Sequence, residues 1–227
     1  FNAYYTSWND RYQRSNDSSP TNVGGYYDFA GIKEIHSGVE LEVTAKATPK
    51  LNLSAMISLG DWTYSGTSTS QRFDAENTPI GGGTTTTLYL DKIKVGDAAQ
   101  TTASIGARYQ IAERFNVDAN YRMAKKLYAA IDPAKFNNPV NSGSLELPSY
   151  GLTDAGLSYK LLVGKTKSNA LNFRLNMNNL FDVVYISESR TNNFTTPTSV
   201  NYKGINVSNQ VYFGYGRTWN FSLRYEF

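Results

Sequence analysis

The chain contains a single histidine, His36, and no cysteine in 227 residues. Those two facts bound its chemistry before any fold is considered. Without thiols there are no disulfides, thiolate metal sites or cysteine nucleophiles. Serine–histidine catalysis would have to use His36. Its neighbour Ser37 points to the opposite side of an extended chain, so the two cannot meet by adjacency. Glu40 and Glu42 lie two positions apart and share one face of a strand, as an acid–base pair could. In a barrel the same spacing more often serves a polar network with Arg or Lys. A lone histidine leaves only carboxylate metal sites. Gly81-Gly82-Gly83 lacks the Lys and the helix of a phosphate-binding loop. No cofactor, metal or catalytic residue is expected, and the enzyme reading falls behind.

The elements that carry these residues repeat every second position. Trp219, Phe221, Leu223, Tyr225 and Phe227 alternate with Thr218, Asn220, Ser222, Arg224 and Glu226. Leu171, Phe173, Leu175 and Met177 oppose Asn172, Arg174, Asn176 and Asn178. Phe115, Val117, Ala119, Tyr121 and Met123 oppose Asn116, Asp118, Asn120 and Arg122. Ala103 to Ile111 oppose Ser104 to Gln110, with Arg108 on the polar side, and Val39 to Ala45 oppose Glu40 to Lys46. Period two is the mark of a β-strand with one apolar and one polar face. The pattern predicts about eight strands, near 1–12, 34–47, 51–64, 99–111, 115–130, 150–163, 170–187 and 214–227. Several run to about 10 residues or more, the length a tilted strand needs to cross a bilayer.

The connections alternate long and short. The long ones fall near 13–33, 65–98, 131–149 and 188–213, and the short ones at 48–50, 112–114 and 164–169. Outer-membrane barrels place short turns in the periplasm and long loops outside. A soluble sandwich gives no reason for that asymmetry. The expected fold is all-β, an antiparallel transmembrane barrel, with the apolar stripe toward lipid. The lumen-lining set is then Glu40, Glu42, Arg108, Asn116, Asp118, Asn120, Arg122, Arg174, Asn176, Asn220 and Arg224. Trp8, Trp62, Tyr64, Tyr128, Tyr150, Tyr185, Tyr215 and Trp219 lie near strand ends and are expected at the headgroup level. No run of about 18 apolar residues suits a membrane helix. Neither does the chain open on a basic-then-apolar leader; Phe1-Asn2-Ala3-Tyr4-Tyr5 already reads as a strand, like a cut rather than a beginning. The net charge of +3 is dispersed and gives no case for nucleic acid.

The ending Leu223-Arg224-Tyr225-Glu226-Phe227 resembles the terminal signal of outer-membrane barrels. That resemblance implies that Phe221, Leu223, Tyr225 and Phe227 are read by the barrel-assembly machinery. Asn178-Asn179-Leu180-Phe181-Asp182 followed by Tyr185 is similar to the Asn-Leu-Phe-Asp segment in the penultimate strand of TonB-dependent receptors. Gly214-Tyr215-Gly216-Arg217-Thr218-Trp219 resembles the Gly-Arg segment that opens their last strand. His36-Ser37-Gly38-Val39-Glu40-Leu41-Glu42 resembles a Gly-x-Glu-Leu strand found earlier in their barrels. The long Gly/Thr-rich loops are similar to those of the Bacteroidetes branch, and the closing segment is unlike its glycan-importing subgroup.

The family resemblance implies TonB-driven import of a nutrient or chelate across the bacterial outer membrane. Such a receptor has about 22 strands and a plugged lumen, so residues 1–227 are expected to be its C-terminal barrel portion. The plug, the other strands and the segment that grips TonB would be partners supplied from elsewhere, alongside outer-membrane lipid. The competing expectation is a self-contained small barrel of about eight strands with a structural or adhesive role.

Overall fold

The computed structural model describes residues 1–17, 19–164 and 168–227. Eight strands form one antiparallel wall: β1 (Asn2–Asn16), β2 (Tyr26–Thr48), β3 (Leu51–Tyr64), β6 (Thr101–Ala112), β7 (Phe115–Lys125), β10 (Tyr150–Val163), β11 (Asn169–Asn178) and β16 (Thr218–Glu226). Each pairs with its neighbours in sequence order. The remaining elements are short. They are β4 (Thr67–Phe73), β5 (Thr86–Tyr89), β8 (Leu127–Tyr128), the helical turn α1 (Pro133–Phe136), β9 (Glu146–Leu147), β12 (Ile186–Ser189), β13 (Asn201–Tyr202), β14 (Ile205–Asn206) and β15 (Val211–Phe213).

The eight wall strands match the alternation in the sequence, but five boundaries move. β2 begins at Tyr26 rather than near 34, and β1 runs on to Asn16. The segment predicted as a loop over 13–33 is therefore a tall hairpin with only residues 17–25 connecting it. The cause is Gly31, whose φ of +68 makes a bulge that shifts the phase of alternation. Phe29 and Ile32, three apart instead of two, both become buried. At the other boundaries Lys126 (φ 52) and Asn179 (φ 50) turn the chain out of β7 and β11, earlier than expected, and β16 starts at Thr218. The short turns at Pro49-Lys50 and Glu113-Arg114 stand as expected; in the predicted 164–169 turn, residues 165–167 lie outside the described residues.

Below the bulges the register pairs even-numbered residues with even-numbered residues across all eight strands. Asn2 faces Glu40, Glu40 faces Ser58, Ser58 faces Thr102 and Thr102 faces Ala124. Asp118 faces Gly156, Gly156 faces Asn176 and Asn176 faces Asn220. One parity therefore defines one face from Asn2 to Glu226. Among the described residues β1 pairs only with β2 and β16 only with β11, so the eight strands form an open sheet. The alternative of eight strands closing on themselves is not what forms.

Most of the buried core lies outside the wall strands. It lies among the long connections, which gather at one end. Phe29, Ile32 and Tyr64 of the wall pack with Leu88, Leu90, Val95, Ile131 and Phe136. Leu127, Ala129, Leu145 and Leu147 pack with Ile186 and Ile205. Backbone and side-chain hydrogen bonds join the same segments: Ala130 N to Ser189 O at 2.9 Å, Asp97 N to Tyr128 O at 3.2 Å, and Leu145 N to Asn192 Oδ1 at 2.6 Å. The three connections 65–100, 126–149 and 179–217 thus form one cap, and α1 sits within it against β5.

Candidate functional site

The even face carries a continuous polar row across seven strands. Lys46, Asn52, Arg108, Asp118, Gly156, Asn176 and Asn220 stand side by side in register. Arg174 reaches along this face to Asp118 with both terminal nitrogens, at 2.5 and 2.9 Å. Its Nε donates to Asn176 Oδ1 at 2.6 Å, and Asn176 Nδ2 donates to Asn220 Oδ1 at 2.9 Å. Gly156 makes this possible: a Cβ there would sit 2.2 Å from Arg174 Nη2 and 2.7 Å from Asp118 Oδ2. A concavity over Gly106 is lined by Lys46, Asn52, Ser54, Arg108 and Asn120.

The other expected polar residues share that face without joining one network. Asn116 stands between Gln110 and Ser158, and Asn120 between Gly106 and Asp154. Arg122 Nη2 lies 3.7 Å from Asp154 Oδ2. Arg224 faces Asn172 and lies 3.9 Å from Glu226. Glu40 accepts from Asn2 and Ser58, each at 3.3 Å, and Glu42 faces Met56. The Arg/Lys network expected around the two glutamates is replaced by these neutral partners, because no basic residue opposes them in register.

Near the cap His36 lies between two tryptophans. Its ring stacks on Trp62 at 5.0 Å and 9°, and Trp8 packs on it at 4.9 Å. Nε2 bonds the buried carboxylate of Glu34 at 3.0 Å, and Arg11 Nη1 reaches the same oxygen at 2.5 Å. Arg11 reaches this face because a bulge at Asp10 (φ 53) shifts β1 by one residue. Ser37 Oγ instead bonds Asp61 O on the other side of the strand. His36 is therefore a cross-strand packing element, bonded to Glu34 rather than to its neighbour Ser37.

The odd face is bare. Val39, Leu41, Val43, Leu53, Ile57, Leu59, Ile105, Tyr109, Leu157 and Tyr159 are all exposed there. So are Trp219, Phe221, Leu223 and Tyr225 on β16, and Phe227 follows, fully exposed. On the strands below the bulges only Trp8 and Met56 expose large apolar groups on the even face. Phe115, Tyr159, Phe173 and Phe221 form a ladder of rings 6.4–6.5 Å apart across the odd face near the short turns. The aromatic band expected from the strand ends is corrected by this placement. Tyr64 and Tyr128 are buried in the cap, Trp8 and Trp62 sandwich His36, and Tyr150 packs on Tyr185 at 4.2 Å. Of that set Tyr215 and Trp219 are strongly exposed.

Several polar residues that hold the cap on the wall carry no periodic signal. Gln100, 1% exposed, accepts from Trp62 N at 3.0 Å and donates to Trp62 O at 2.9 Å, standing in for a strand neighbour. Asp17 receives Asn22 Nδ2, Ser19 N and Arg72 Nε at 2.6–2.9 Å. Burial opposes its charge, yet these donors hold the carboxyl below the usual carboxylate range. A cleft of about 230 Å³ of water-sized space between the tall hairpin and the cap is lined by Gln13, Asp97, Glu188 and Arg190. Although part of Asp97 reaches solvent, burial of its carboxyl, with the Glu188 charge nearby, pushes it up to about 6 against the pull of Arg190.

The family model described as TonB dependent receptor-like, beta-barrel, matches residues 1–180. No curated protein matches the chain.

Proposed function

The chain belongs to the TonB-dependent receptor β-barrel family, and from that premise we propose that it forms the C-terminal part of an outer-membrane import receptor's wall and its extracellular cap. Proteins of this family are transporters of the Gram-negative outer membrane that work with TonB and carry a plug. In this reading the odd face meets lipid, the even face lines the lumen, and the short turns lie in the periplasm. The cap, at the opposite end, meets the incoming nutrient or chelate. The upstream polypeptide supplies the plug, the TonB-gripping segment and the strands that pair with β1 and β16. The terminal residues Phe221, Leu223, Tyr225 and Phe227 are the ones the barrel-assembly machinery reads.

One observation carries the lipid assignment. The even face holds the Arg174–Asp118 pair and the base of the cap core, while the odd face of the wall strands exposes a broad apolar surface. In water that surface would be far larger than a stable monomer tolerates. In a bilayer it is the solvent-matched side. The open edges supply a second support. Unpaired backbone groups cost several kcal/mol each in hydrocarbon, so β1 and β16 each call for a further strand. Uptake by cells carrying the complete receptor should require TonB, while binding of the nutrient should not. Uptake that survives loss of TonB would remove the import reading.

A further inference from the structure

We infer that the turn Asn179–Asp182, locked against Gly214–Arg217, is a register clamp that decides how β11 pairs with the last strand. The need for one follows from the wall itself. A slip of one residue would turn every apolar side chain to the wrong face, but a slip of two leaves each face unchanged. Alternation therefore cannot choose between the native pairing and its two-residue neighbours. A tight turn would choose, yet β11 and β16 are separated by the 39 residues 179–217.

The structure supplies the missing constraint at the point where the two strands leave the wall. Asn179 is 2% exposed and adopts φ +50. Its Oδ1 accepts from Val183 N at 2.9 Å, and its Nδ2 donates to Val183 O at 3.0 Å and to Tyr215 O at 3.2 Å. Its own N–H donates to Asp154 Oδ1 at 2.8 Å, which ties the turn to β10. Asp182 Oδ1 accepts from Arg217 N at 2.7 Å, and Arg217 Nη1 reaches Leu180 O at 3.4 Å. Gly214 N donates to Tyr185 O at 3.0 Å, and a Cβ on Gly214 would collide with the Tyr185 ring. Residues 179, 182 and 185 are thereby fixed to 215, 217 and 214. The first pair of the ladder, Asn178 with Thr218, follows directly, and Asn178 Nδ2 donates to Thr218 Oγ1 at 3.2 Å. A two-residue slip would break the bonds to Tyr215 and Arg217 together.

The clamp concerns strand pairing alone, so its failure would leave the transport reading untouched. It is tested by disulfide formation far from the turn, in the complete polypeptide in its membrane. Residues 1–227 contain no cysteine, and any elsewhere in the complete polypeptide is first replaced by serine. Asn172 and Arg224 are opposed in the native register, while Ser222 and Glu226 take the place of Arg224 after a slip of two. The pair N172C/R224C should cross-link in the parent. Asn179→Ala and Asp182→Ala should each lower the ratio of native to slipped cross-link about fivefold, the effect of about one hydrogen bond, by raising N172C/S222C or N172C/E226C. Asp182→Asn keeps the accepting oxygen and should behave as the parent. An unchanged ratio in both alanine variants overturns the clamp, as does a fall in N172C/R224C with no gain in either slipped pair.

Discussion

Arg174 and Asp118 form a two-point ion pair across β10, and the residue of β10 that lies between them is Gly156. A glycine inside a strand weakens it locally, so its place here needs a reason, and the pair is that reason. Gly156→Val should displace the guanidinium and break the contact. Removing one charge partner of a buried pair is strongly destabilising, but both partners here are about a third exposed on the open sheet, and exposed pairs contribute about 0–1 kcal/mol. The expected loss is about 1–3 kcal/mol, mostly from overpacking. Urea unfolding in detergent would measure it, and Gly156→Val in an Arg174→Ala background should cost less.

Leu223 and Ser222 separate the two faces at one level of β16. Leu223→Arg should cost about 2–4 kcal/mol if that position lies near the bilayer midplane, and Ser222→Arg much less. Folding titrations into lipid vesicles give both values. Equal costs would contradict the assignment of the odd face to lipid.

Phe136 sits at 1% exposure where the connections 65–100 and 126–149 meet the upper parts of β2 and β3. Phe136→Ala should cost about 3–5 kcal/mol locally through lost burial and the cavity left behind. Of the wall, β2 and β3 contribute to that core, while β6, β7, β10 and β11 do not. Protease cleavage should therefore rise within 65–100 and 126–149 while the β6–β7 and β10–β11 ladders keep their protection. Uniform loss of protection would show that cap and wall unfold as one unit.

The cap should loosen as pH rises through about 6. The Asp97 carboxyl is raised above its ordinary value of 3.8 by burial and by Glu188, so the folded cap favours its neutral form. The stabilisation is complete below the ordinary value and is lost as pH rises through the raised one. Hydrogen exchange at Ala130 and Arg190, corrected for intrinsic rates, should quicken between pH 5 and 7. Asp97→Asn should flatten that dependence. Asp17 works in the opposite sense: its lowered value means that the hairpin tip loses stability only as pH falls below the ordinary carboxylate range.

Intact cells offer a topological test. Added protease should cut only within the cap or the 17–25 connection, and never at Thr48-Pro49-Lys50. A cut there would invert the wall.

Alternation alone makes the eight wall strands and their two faces legible, because each strand is long and its solvent contrast repeats every second residue. Phe221, Leu223 and Tyr225 fall on one side and Asn220, Ser222 and Arg224 on the other from parity alone. The sequence also places the long connections at one end, since strands that alternate direction leave no other arrangement. The tertiary structure decided everything that breaks the period. Gly31 and Asp10 are bulges whose φ values shift the phase, so Phe29 and Ile32 read as loop residues, and Arg11 as a strand residue of the odd face, until the pairing is known. The Asn-Leu-Phe-Asp segment reads as strand, yet Asn179 is a buried turn, because its positive φ and its bonds to Tyr215 come from residues 36 positions away. Trp8 and Trp62 look like interface anchors, but their even parity places them on His36. The cap core joins Phe29, Leu88, Ile131 and Phe136 from separate connections. No local period links such residues, and only their packing together in three dimensions selects them.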